Sequence, residues 1–234
     1  MYNFKAGESY AYRQVTTVQM PMGGKMSFTT DYVMDVLDVA DDEIVIRTTF
    51  TMQMAELPST QMVVKERMTR RGEIISFEVE SVKPPELMEN IKKEIGGWQR
   101  LMENAYRYPD VPMPIGREWE VPLGFDFEIQ PGVAFKLEGK ARSSIDGKEN
   151  LIVGAGPFEC WRLLLKMNLS GQTSVGGQTV EMTLAAEGNM WVDQRTGAQV
   201  KINMPMEMEM KIADTGMETF ITITSELVEY RAAP

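Results

Sequence analysis

The chain has 234 residues, 34 acidic and 24 basic, for a formal charge of −10, and contains no histidine. That balance speaks against nucleic acid or an anionic membrane surface as a partner, since both need basic surface. Without histidine the commonest general base is gone, and Ser-His-Asp and Cys-His catalysis are excluded. The single cysteine, Cys160, allows no intrachain disulfide and no thiolate metal cluster.

In chain order, Gly7–Gln19 alternates as a strand and ends at the turn Pro21-Met22-Gly23-Gly24. Lys25–Val39 follows, turns at Ala40-Asp41-Asp42, and returns as Glu43–Met54. Gln61–Thr69 and Glu73–Val82 then form a hairpin across Arg70-Arg71-Gly72. The next stretch changes period. Leu87, Ile91, Ile95, Trp98, Met102 and Ala105 recur at three and four residues, which predicts one amphipathic helix over 85–107 behind Pro84-Pro85. Gly96-Gly97 is its weak point, at about 1 kcal/mol per glycine relative to alanine.

Past the helix, Tyr108–Gly116 is proline-rich and reads as a linker, and Pro122–Gly132 as irregular after a short strand Arg117–Val121. Val133–Asp146 and Lys148–Gly154 read as strands about an Asp146-Gly147 turn. Phe158–Ser170, Thr179–Val192, Ala198–Lys211 and Met217–Tyr230 complete the set, with Gly171–Gln178 as a loop. These elements predict a mainly β fold: one domain, 1–234, whose halves (1–83 and 109–234) form a curved antiparallel sheet, an incomplete barrel. The helix is expected to cover its concave face.

Twenty methionines are present. Many keep strand parity: Met52 with Met54, Met182 with Met190, and above all Met204, Met206, Met208 and Met210, with Glu207, Glu209 and Lys211 between. A period of two puts thioethers on one face and charges on the other. Such a surface suits an irregular core, an adaptable apolar cavity, or thioether ligation of a soft ion such as Cu(I). No other feature marks a metal site, and none calls for a cofactor. Asp41-Asp42-Glu43 falls at a turn without EF-hand spacing, and Glu207 with Glu209 reads as a solvated strand face. The sequence therefore reads as non-catalytic.

The segment Val153-Gly154-Ala155-Gly156-Pro157-Phe158-Glu159-Cys160-Trp161, followed by Trp191-Val192-Asp193-Gln194-Arg195-Thr196-Gly197-Ala198-Gln199-Val200-Lys201, resembles a pair of elements in secreted β proteins. These are similar to the periplasmic lipoprotein-carrier (LolA-like) superfamily of incomplete barrels. The resemblance implies an envelope or secreted protein that binds an apolar small molecule or acyl chain. The alternative is a structural or protein-interaction module without a cavity. Residues expected to contact a ligand are Trp98, Met102, Trp161, Trp191, Met204, Met206 and Met208, unless they pack the core. No apolar run is long enough for a membrane helix, so no integral membrane segment is expected. The expected location is secreted, periplasmic or envelope-attached if an export signal has been removed, and cytoplasmic otherwise.

Overall fold

A computed structural model describes residues 1–21, 23–53, 59–88, 107–109, 113–130, 133–175, 177–212 and 215–233. Eleven strands follow in order: β1 Ser9–Gln19, β2 Lys25–Ala40, β3 Glu43–Gln53, β4 Thr60–Thr69, β5 Ile74–Lys83, β6 Glu118–Gln130, β7 Val133–Val153, β8 Gly156–Val175, β9 Gln178–Asp193, β10 Gln199–Ile212 and β11 Thr215–Arg231. They form one antiparallel sheet in the order β5-β4-β3-β2-β1-β11-β10-β9-β8-β7-β6. Each half is a meander, and the two meet where β1 pairs with β11.

The expected helix-covered bowl is overturned. The fold is an open eleven-stranded sheet, and among the described residues there is no long helix, only a 3-10 turn at Pro85–Leu87. Positions 89–106, including Trp98 and Met102, lie outside the described residues. The physical reason is that the halves need no helix to join them: β1 pairs directly with β11 and makes one continuous sheet.

Three further expectations are corrected. β6 runs through Pro122, which pairs with Lys140 of β7 alone. On an edge strand the missing amide costs no ladder hydrogen bond. β7 runs through Asp146-Gly147, absorbing the extra residue as a bulge between Ile145 and Gly147, and the chain reverses instead at Gly154-Ala155. β8 continues through Gly171 to Val175.

The sheet curls shut at one end. The Tyr2 amide donates to the Arg70 carbonyl, in the β4–β5 turn, and the adjacent Asn3 amide donates to Thr196, in the β9–β10 turn, both at 2.8 Å. Along the sheet, strands β4 and β9 are six spacings apart, about 29 Å. Contact through consecutive residues requires strong curvature there. The cluster inside this end contains Tyr10, Val36, Ile44, Met68 and Leu227 from strands of both halves, with Phe4 from the segment before β1. The opposite end carries exposed Met20, Met26, Met52 and Met217.

Inward-facing glycines allow the curl. A Cβ at Gly139 would collide with the Asn168 carbonyl oxygen, one at Gly171 with that of Lys136, and one at Gly188 with that of Asn203. All three share a face with apolar partners, Leu169, Met182 and Leu165 respectively. Their role is close backbone approach on the concave side.

Candidate functional site

Strand register defines the concave face. On β10, Met204, Met206, Met208 and Met210 share it with Ile202 and Ile212, while Asn203, Pro205 and Glu207 point outward and are exposed. Across β9 the methionines meet Ala186, Leu184 and Met182, and across β11 Ile223, Ile221, Thr219 and Met217. All four remain only half-buried. Gly188 has no side chain to hold Met204 off; a Cβ there would sit 3.0 Å from the Met204 sulfur.

Trp161 and Trp191 separate. Trp161 pairs with Val192 and Trp191 with Arg162, adjacent register positions that face opposite sides of the sheet. Trp161 packs in the cluster of Leu163, Met190, Ile202 and Met204, with the Lys148 ammonium 4.5 Å above its ring. Trp191 donates through Nε1 to Glu149 Oε2 at 2.8 Å. Trp161, Met204, Met206 and Met208 thus stand on one face, and Trp191 does not join them.

The first half of the same face is more polar. Gln14, Thr16, Thr30 and Thr48 point inward beside a row of rings, with Tyr12 and Tyr32 stacked at 4.7 Å and Phe50 at 5.7 Å from Tyr32. The Tyr32 and Ser225 hydroxyls lie 3.1 Å apart. One carboxyl enters this region. Glu66, register partner of Ile46 and Phe77, is 8% exposed, and burial pushes its pKa up to about 7. Sequence reading passed over it, although Met62-Val64-Glu66-Met68 places it at inward parity.

Other buried acids are structural. Glu8 accepts from the Tyr10 and Tyr230 hydroxyls at 2.9 and 3.0 Å and from the Lys5 amide at 2.8 Å. Asp193 holds the 193–197 turn through the Thr196 hydroxyl at 2.8 Å. Cys160 is fully buried, and burial first, then the charges of Asp193 and Glu149, pushes its thiol up to about 12. It is no nucleophile at neutral pH. Among the described residues no cluster of three or more Cys, Asp or Glu side chains is placed to hold a metal, and no helix is long and apolar enough to cross a membrane.

No family model and no curated protein matches the chain. Among solved structures it is similar to a candidate exported protein with a YmcC-like fold from Bacteroides fragilis, at 14% identity and TM-score 0.31 over 98% of both chains. A candidate lipoprotein from Parabacteroides distasonis shows 10% identity and TM-score 0.36 over 98% of this chain and 97% of that one. The S-type phycobiliprotein lyase CPES of Guillardia theta shows 9% identity and TM-score 0.25, over 95% and 88%. Likenesses at this level assign neither a family nor a role, and membership among the lipoprotein carriers is not established.

Proposed function

We propose that this is a non-catalytic binding protein of the cell envelope or extracellular space, which takes an apolar or lipid-like ligand against the concave face of its sheet. The observation that carries the reading is the half-buried row Met204, Met206 and Met208, flanked by Ala186, Leu184 and Ile221 and continuous with the packed Trp161. Flexible thioethers adapt to ligands of varied shape. The envelope location rests on the sequence resemblance.

The alternative is an interaction module without a ligand, for which a depression of about 310 Å³ at the hairpin tips, lined by Gln19, Met20, Glu209, Met217 and Phe220, offers an apolar and acidic surface. Titration with a fluorescent long-chain fatty acid separates the two. The binding reading expects saturation at one equivalent, displacement by unlabelled fatty acid, and loss in Met206→Lys/Met208→Lys. Absence of saturable binding by the folded wild-type chain favours the module instead.

A further inference from the structure

The thioether row of β10 ends at a crossing that apolar packing does not require. Met210 pairs directly with Met182 on β9 and with Met217 on β11. Paired residues share a face, with Cβ atoms about 4.5–5.5 Å apart, so three unbranched side chains stand side by side over three adjacent strands, with flexible sulfurs within reach of one another. Met182 is 2% exposed and anchored in the cluster of Leu169 and Val180, against which Met208 and Met210 pack. Met217, at the open end, is 42% exposed and gives access from solvent.

The opposite face repeats the pattern in charge. Glu181, Glu209 and Glu218 are the sequence neighbours of these three methionines, and Glu209 and Glu218 are direct register partners. Like charges so paired are destabilising. Lys211, 2.9 Å from Glu209, offsets part of this.

We infer that Met182, Met210 and Met217 form a three-thioether site for a soft monovalent cation, Cu(I) or Ag(I). Thioethers are neutral at any physiological pH and select soft ions over Mg²⁺, Ca²⁺ or Zn²⁺. The chain lacks histidine and its one thiol is buried, so the competing soft donors are the other thioethers, from which these three differ in being direct register partners across adjacent strands. The net charge of −10 adds a field that concentrates cations.

The test is titration of the chain in a Cys160→Ala background with Cu(I), without oxygen, against the chromophoric chelator bicinchoninate. In parallel, Ag(I) is added to the wild-type chain carrying ¹³C-methyl methionine and followed by NMR. The expected result is one equivalent bound, with three methyl resonances moving. In Met182→Leu/Met210→Leu/Met217→Leu, affinity falls at least 100-fold, and in the matched Met26→Leu/Met52→Leu/Met62→Leu it is unchanged. Leucine keeps the surface apolar, so fatty-acid binding survives the first triple change and the two readings fail separately. No saturable binding, shifts spread over all methionines, or wild-type affinity in the first triple variant overturns the site. If that variant does not fold, the wild-type spectra decide.

Discussion

The Tyr108 hydroxyl donates to the Gly197 carbonyl oxygen at 3.1 Å, while its own amide donates to the Arg71 carbonyl at 2.7 Å. One residue therefore ties the β4–β5 turn to the β9–β10 turn, in parallel with Tyr2 and Asn3. Its ring packs edge-on against Tyr2 at 5.1 Å, and burial holds its hydroxyl protonated. Removing the hydroxyl in Tyr108→Phe leaves the Gly197 carbonyl short of a partner and is expected to cost about 1 kcal/mol. Thermal unfolding should show a Tm about 2–4 °C lower. An unchanged Tm would mean the closure does not depend on this bond.

Glu66 gives a pH dependence of definite sign. Its folded pKa, about 7, stands above the ordinary 4.5 because of burial. Below pH 4.5 both states hold the proton and there is no penalty. Between pH 4.5 and 7 the unfolded state gives up this proton while the folded state keeps it, so stability falls across that window, by on the order of 3 kcal/mol in total, and levels off above 7. The chain has no histidine to titrate in this window, and the Met1 amine, lowered from 8.0 by burial, contributes a slope of opposite sign nearer its own range, so the fall between about pH 5 and 6.5 is the part that belongs to Glu66. Urea denaturation midpoints should fall with pH in the wild type and flatten in Glu66→Gln, which should be the more stable of the two at pH 8.

Gly139→Ala and Gly171→Ala place a methyl against a neighbouring strand's carbonyl, Asn168 and Lys136 respectively. Backbone cannot rotate away, and each change is expected to cost about 1–3 kcal/mol. Gly147→Ala meets nothing within 4 Å and should stay within about 0.5 kcal/mol. Chemical denaturation of the three variants ranks them, and equal costs would refute the close-approach account.

Cys160 should resist thiol reagents. With its Sγ 3.9 Å from the Phe158 carbonyl, fully buried, and its pKa near 12, reaction with a disulfide reagent at pH 8 should wait on unfolding. Labelling that is as rapid in buffer as in denaturant would contradict its placement.

Much of this was legible in side-chain alternation. The outward Glu207 and inward Met206 and Met208 follow from parity alone, and so does the inward Glu66, given attention to the odd charge among Met62, Val64 and Met68. What parity could not supply was where strands tolerate breakers. Pro122 is harmless because its strand is an edge, and Gly171 continues a strand because another backbone passes against it. Those are tertiary facts. Trp161 and Trp191 are both expected to contact a ligand, yet their register partners put them on opposite faces. The 85–107 stripe was the plainest periodic signal in the chain and the poorest guide to the architecture, because the halves are joined by β1 and β11.

That junction has a consequence for biosynthesis. Tyr230 reaches Glu8 across 222 positions of sequence, and β11, synthesised after the ten other strands, goes into the middle of the sheet, between β1 and β10. Until it arrives, both flanking strands present raw edges, and only the turn contacts at the closed end bridge the halves. A nascent chain that has not yet added β11 is thus an open template for self-association, and a holding chaperone during synthesis would suit it.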